Sequence, residues 1–287
     1  MKTVSQIFGN NAPHWVGDGF PVRSLFSYQN DPAAISPFLL LDYAGPHDFA
    51  PSSGVPRGVG QHPHRGFETV TIVYDGEVSH RDSSGSGGTI GPGDVQWMTA
   101  GSGIIHEEFH SPGFTKAGGP LRMVQLWVNL PAVDKGAAPA YQSITSADIP
   151  HASLGDGTLR VIAGEFGGQQ GPARTFTPIN VWDVQLNADA IADLPIPAGH
   201  NALVTVLSGH ISIGPDDVGE AEVARLSTEG ENAMIKANGD ARLLVLTGES
   251  IDEPVAGYGP FVMNTPGEIK AAIADFNNGR FGALAQA

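Results

Sequence analysis

Turn residues interrupt this chain too often for long helices to form. Its 287 residues include 38 glycines and 22 prolines, with no fixed period. Glycine supplies the positive φ of tight turns and proline removes a backbone donor, so both shorten regular elements. Between them lie apolar runs of strand length: TVTIVYDGEVSH, VQWMT, LRMVQLWVNL, LRVIAG, VWDVQLN, LVTVLSGHISI and DARLLVLTG. Many short strands bounded by turn residues specify an all-β sandwich or barrel. Asp75-Gly76 predicts a two-residue hairpin turn inside the first run. GPGD at 91–94 predicts a turn feeding VQWMT, and the run 121–130 a strand buried on both faces. One segment breaks the pattern. In TPGEIKAAIADFNNG, Thr265, Pro266 and Glu268 make a capped helix start, and Ile269, Ala272, Ile273 and Phe276 share one face before Asn278-Gly279 stops the helix. This predicts a short C-terminal docking helix without chemistry of its own.

Charge and composition exclude several functions. Thirty acidic residues face 15 basic ones, for a net charge of −15, and no Lys/Arg cluster appears. A phosphate backbone is repelled by such a surface, which argues against direct nucleic-acid binding. With no cysteine, disulfides and thiolate ligands are ruled out. The first residues lack the apolar core of a signal peptide and no run reaches membrane-spanning length, so a cytoplasmic protein with no membrane contact is expected.

An internal repeat organises the strands. HPHRGFETVTIVYDG (62–76) aligns without gaps to PIPAGHNALVTVLSG (195–209), which matches His62 to Pro195, His64 to Pro197 and Glu68 to Asn201. The strand and turn pattern persists while the metal-capable side chains vanish. PAVDKGAAPA at 131–140 reads as a linker. Two related β domains are therefore expected, 1–135 with a site and 136–287 without one.

Half of the ten histidines fall between positions 62 and 110. In a strand, residues i and i+2 point to one face. His62-Pro63-His64 therefore presents two imidazoles together, and His106-Glu107-Glu108 an imidazole and a carboxylate. Two such pairs on neighbouring strands can converge on one ion. Pro63 lacks an amide hydrogen and predicts a strand start or edge, and Gly101 and Gly103 leave room for the approach to His106. Glu68, four residues beyond His64, competes with Glu108 for the carboxylate role. Glu107 alternates outward. His80, at the far end of the first hairpin, and His110, on the His106/Glu108 face, are candidates for the pocket with the surface as the expected place of each, and His14, His47, His151, His200 and His210 have no partner spacing. Phe67, Trp97 and Trp127 are candidates for an aromatic wall, with core packing the expected role of at least two of them. Gln125 is a candidate to face the pocket.

HPHRGFETVT, PGDVQWMTAGSGIIHEE, RMVQLWVNLP and GPFVMNTPGEI together resemble the pirin family of the cupin superfamily across most of the chain. The resemblance implies a bicupin: two antiparallel, jelly-roll-like β-barrels packed together, with metal in the N-terminal one. It carries the family's ligands onto His62, His64, His106 and Glu108, favouring Glu108 over Glu68. One divalent transition metal is implied, iron first, while the donor set also suits Mn, Co, Ni, Cu or Zn. Several bacterial pirins are regarded as quercetin 2,3-dioxygenases, which implies a small aromatic enol and O2 as substrates, an enolate at the metal, and Glu108 as the base that removes the enol proton. Animal pirin is regarded as an iron-dependent transcriptional co-regulator. The alternative is thus a metal-dependent regulatory protein that binds a protein partner without turnover, and a third reading is a cupin acting on another enol, sugar or carbonyl compound.

Overall fold

The apolar runs fold as strands in the computed structural model, which describes residues 1–9 and 12–285. The chain forms two compact units, and the main sheets group as one seven-stranded and one four-stranded antiparallel sheet for each, beside two two-stranded ribbons. In the N-terminal barrel the large sheet runs Ala140–Ile144, Val95–Thr99, Phe67–Asp75, Gly119–Asn129, Phe38–Phe49, Phe20–Ser27 and His14–Val16. Its small sheet runs Gly58–His64, Ile104–His110, Val78–Asp82 and Gly87–Ile90. The C-terminal barrel repeats this order. Glu222–Leu226, Asn201–Ser208, Ala241–Gly248 and Ile179–Leu186 are neighbours in its large sheet, and Ile191–Pro195, Asn232–Ala237, His210–Ile213 and Asp216–Gly219 form its small one. Side chains on the inward faces of the C-terminal barrel close a continuous apolar core around Trp182, Val204, Ile235 and Val245. Among the described residues no helix is long and apolar enough to cross a membrane.

The hairpin expected at Asp75-Gly76 does not form. The strand Phe67–Asp75 pairs with Val95–Thr99 and Gly119–Asn129, whereas Val78–Asp82 pairs with Ile104–His110 and Gly87–Ile90 in the other sheet. The turn chemistry is real, with Gly76 at φ +85°, but it carries the chain across a corner from one sheet to the next. Gly209, its counterpart in the repeat, also stands at φ +85°, between Asn201–Ser208 and His210–Ile213, which again lie in different sheets. A local turn signal cannot tell a hairpin from a corner, because the partners are set by distant strands.

A single cut between 135 and 136 does not separate the units either. Val4–Gly9 pairs with Glu222–Leu226 as the edge strand of the C-terminal large sheet, and Ser24–Pro37 gathers with the same unit. The chain from Asp252 onward gathers with Phe38–Ser146. An exposed sheet edge offers unpaired N–H and C=O groups, and Val4–Gly9 satisfies them despite its distance in sequence. The expected linker is likewise tied down. Lys135 is buried, and its ammonium donates to the carbonyls of Gly66 and Val262 and to Asn129 Oδ1 at 2.8–3.0 Å. Desolvation pulls its pKa down to about 8, against the opposing pull of Glu253 and Glu268.

The C-terminal helix forms as expected over Pro266–Asn277, with the Thr265/Glu268 capping box complete and Ile269 and Ala272 buried. It belongs to a small cluster with Phe261 and Phe281 that packs on Ile105. Gly103, at φ +130°, admits the Phe281 ring into the space that a Cβ would fill. The helix and its flanks thus back the strand that carries His106.

Candidate metal centre

Three strands of the N-terminal small sheet build the site. Gly58–His64 is an edge strand, as Pro63 requires, and pairs with Ile104–His110 so that His62 lies opposite His106 and His64 opposite Ile104. On its other side Ile104–His110 pairs with Val78–Asp82, setting His106 against Asp82 and Glu108 against His80. Strand alternation then turns His106, Glu108, His80 and Asp82 to one face, while Glu107 turns away and pairs with Arg81. A register shift between His106 and Glu108 relative to the edge strand separates the carboxylate from the first two histidines.

Three imidazoles converge. The ring centroids of His62 and His64 lie 4.9 Å apart, those of His62 and His106 4.2 Å, and those of His64 and His106 4.8 Å. Their ligand-capable nitrogens lie within 4.8 Å of one another, close to twice a metal–nitrogen bond of roughly 2.0–2.2 Å. His64 and His106 are buried, and burial pushes both pKa values well below the ordinary histidine range, reinforced by the neighbouring histidines. The neutral ring that results is the form that ligates. Nε2 of His106 is buried without a hydrogen-bond partner, and neither nitrogen of buried His64 has one of good geometry, although the Pro260 carbonyl lies near enough to oppose part of its pKa shift. Buried polar atoms are rarely left unpaired, so this cluster is suited to a metal ion. Half-buried His62 donates from Nδ1 to the Gly60 carbonyl at 2.8 Å, which leaves Nε2 with its lone pair.

Glu108 is not grouped with His62 and His64: the ligand-capable atoms of His80, His106 and Glu108 form a second group within 4.8 Å that shares only His106 with the first. Its buried carboxylate is held by Gln125 Nε2 at 2.9 Å on Oε2, and by Gln96 Nε2 at 3.3 Å and Thr71 Oγ1 at 3.4 Å on Oε1. Gln125 therefore faces the site. Glu68 does not. The strand breaks between His64 and Phe67, so the four-residue phase is lost, and Glu68 instead accepts a 2.7 Å bond from Thr99 on the face opposite Thr71. Burial raises its carboxyl pKa to about 7.

Two histidines expected at the surface are buried. His110 bonds the Gly19 carbonyl at 2.9 Å among the rings of Phe20, Phe49 and Phe114. His80 contacts His106 directly, Nδ1 to Nδ1 at 3.2 Å, and holds Asp82 through Nε2 at 3.1 Å. The signal was present in the sequence: His80-Arg81-Asp82 repeats the i, i+2 spacing of the other two pairs. Of the aromatic candidates, Phe67 and Trp127 stand 5.2 and 5.5 Å from the His64 ring and 4.3 Å from each other. Trp97 neighbours Gln96 on its strand, points to the other face and is fully buried in core packing. His14, His47, His151, His200 and His210 belong to neither metal-capable group.

Two family models match the chain, Pirin over residues 19–128 and the Pirin C-terminal cupin domain over 181–282. A Pseudomonas aeruginosa protein named "Putative quercetin 2,3-dioxygenase" is 60% identical over 283 residues, 98% of this chain and 99% of its own length. Human Pirin is 39% identical over 254 residues, 86% of this chain and 83% of its own. The crystal structure of quercetin 2,3-dioxygenase from Acinetobacter baumannii matches with a TM-score of 0.97 at 53% identity, covering 99% of this chain and 100% of that one.

Proposed function

The chain belongs to the pirin family, and from that premise we propose that it is a metal-dependent dioxygenase that opens flavonols such as quercetin with O2. His62, His64, His106 and Glu108 would hold one divalent transition ion, with iron favoured by the family resemblance and Mn, Co, Ni, Cu or Zn compatible with the donors. When bound, that ion supplies Lewis acidity toward the flavonol 3-hydroxyl and access to O2 chemistry. The observation that carries this reading is the convergence of the His62, His64 and His106 imidazoles, with His106 Nε2 buried and unpartnered. It gains support from the 53% identity to a solved quercetin 2,3-dioxygenase.

The chain's own residues have separable tasks. A carboxylate oxygen offers two lone-pair positions. Thr71 and Gln96 occupy both on Glu108 Oε1, whereas Gln125 occupies one on Oε2. The remaining Oε2 position is where Glu108 would take the 3-hydroxyl proton as general base. Phe67 and Trp127, packed beside His64, give the flavonol rings an apolar surface and exclude water from one side of the site. Deprotonation makes the substrate electron-rich. O2 then oxidises it: its two oxygen atoms bond to the carbons flanking the one that bore the hydroxyl, both bonds to that carbon break, it leaves as carbon monoxide, and the proton taken by Glu108 returns to the carboxylate that forms.

Aerobic assay of the iron-loaded protein with quercetin tests this reading. O2 uptake and carbon monoxide release are expected from the wild type and absent from His106→Ala and Glu108→Ala. Metal-loaded wild type that leaves quercetin intact would overturn the assignment.

A further inference from the structure

We propose that Asp82 and His80 form a relay that fixes the tautomer of His106 and so aims its Nε2 lone pair into the metal site. The proposal rests on the reading of His106 as a ligand. The relay lies in one sheet: His106 sits opposite Asp82, and Glu108 opposite His80. All three relay members are buried. His80 bridges them, with Nε2 3.1 Å from Asp82 Oδ2 and Nδ1 3.2 Å from His106 Nδ1.

Counting protons leaves one arrangement that satisfies every contact with both rings neutral. The Asp82 carboxylate only accepts, so His80 carries its proton on Nε2. His80 Nδ1 is then a lone pair, so His106 must donate from Nδ1. His106 Nε2 is left bare, and that is the buried nitrogen with no partner in the protein. An imidazole ligand whose second nitrogen is held by an outer group is fixed in both tautomer and ring orientation. Here the outer group is itself a histidine, so the carboxylate acts one ring further from the ion.

The far end of the relay is locked. Asp82 Oδ1 accepts from the Ser84 amide at 2.8 Å, the Ser84 hydroxyl at 2.6 Å and the Ser86 amide at 3.2 Å. These three donors decide what Asp82→Asn does. They demand the amide oxygen of the new side chain, so its NH2 group faces His80. His80 Nε2 must then accept, its proton moves to Nδ1, and His106 Nδ1 must accept in turn. The His106 proton is driven onto Nε2, where the ion would bind. The substitution is nearly isosteric, yet it reverses both rings. His80 also stacks on Tyr141, with centroids 5.1 Å apart at 17°, so its packing and relay roles need separating.

Histidine side-chain 15N spectra of the metal-free protein at pH 8 read the tautomers directly. The wild type is expected to show His106 protonated on Nδ1, and Asp82→Asn to show it protonated on Nε2. Competitive titration with zinc(II) alone should show a loss of affinity of roughly 10–100-fold in Asp82→Asn. Should that variant fail to fold, the pair His80→Gln and His80→Phe carries the test. Glutamine offers an acceptor to His106 and retains most of the affinity, whereas phenylalanine keeps the ring on Tyr141, lacks the acceptor and loses it. Wild-type tautomers and affinity in Asp82→Asn, or zinc held as tightly by His80→Phe as by His80→Gln, would overturn the relay. A wild type that takes up no zinc overturns the ligand reading instead, and the spectra still judge the relay.

Discussion

The two barrels place equivalent backbone positions in opposite chemistry. Thr71 stands opposite Gln96 on one neighbouring strand and Gln125 on the other, and all three donate to Glu108. The repeat matches Thr71 to Val204, which stands opposite Ala224 and Val245 in the same way. Those three are buried in the apolar core. Likewise His62 faces His106, while its counterpart Pro195 faces Asn232. The strand order is shared, so the frame does not require the site. A buried carboxylate needs several donors, and a barrel without the carboxylate is better filled with aliphatic groups. The candidate ligands and the polar residues that support Glu108 therefore come or go together.

The largest effect that would break this comparison is on metal content. His62→Ala and His64→Ala should each abolish stoichiometric metal by elemental analysis, while His200→Ala, in the repeat without ligands, should change nothing measurable. Retention in either of the first two would remove the distinction between the barrels.

A smaller effect concerns Glu68, matched in the repeat by Asn201. Burial raises its folded-state carboxyl pKa from the ordinary 4.5 to about 7. The fold thus favours the protonated form. Its contribution to stability is complete below pH 4.5 and is lost as pH rises through about 7, an effect of about 3 kcal/mol at roughly 1.4 kcal/mol per pH unit. Glu68→Gln should match the wild type near pH 4.5 and exceed it by about that amount at pH 8. Urea denaturation of the metal-free proteins across this range reads the difference, and parallel pH curves would show that Glu68 is not held neutral.

What the sequence made legible follows from which rules are local. The i, i+2 spacing pairs His62 with His64 and His106 with Glu108 on shared faces, and the capping box fixes the start of the Pro266–Asn277 helix. Strand partnership is not local. Thr71 and Gln96 were invisible as supports of Glu108 because cross-strand register brings them there. The same blindness turned a corner at Gly76 into a hairpin, and assigned Val4–Gly9 to the wrong barrel. His80 and Asp82 are a different case. Their spacing is as readable as that of the candidate ligands, but spacing alone does not tell a carboxylate that binds an ion from one that holds a histidine.

The subtlest way to sharpen the comparison is to give the first barrel one residue of the second. Gln125→Val copies Val245 and removes the shortest hydrogen bond to Glu108, 2.9 Å to Oε2. A buried acceptor left unpaired costs roughly 1–3 kcal/mol. The upper half of that range applies to dry sites, and Gln125 is only half-buried, so water can replace part of the lost bond. A destabilisation of roughly 1–2 kcal/mol is therefore expected in metal-free protein by urea denaturation. Adding Glu108→Gln to the same chain should recover part of it, since a neutral amide is cheaper to leave underpaired than a carboxylate. If the double variant is instead as unstable as the sum of the two single ones, Gln125 stabilises the barrel by packing alone, and the polar lining did not arise to serve the carboxylate.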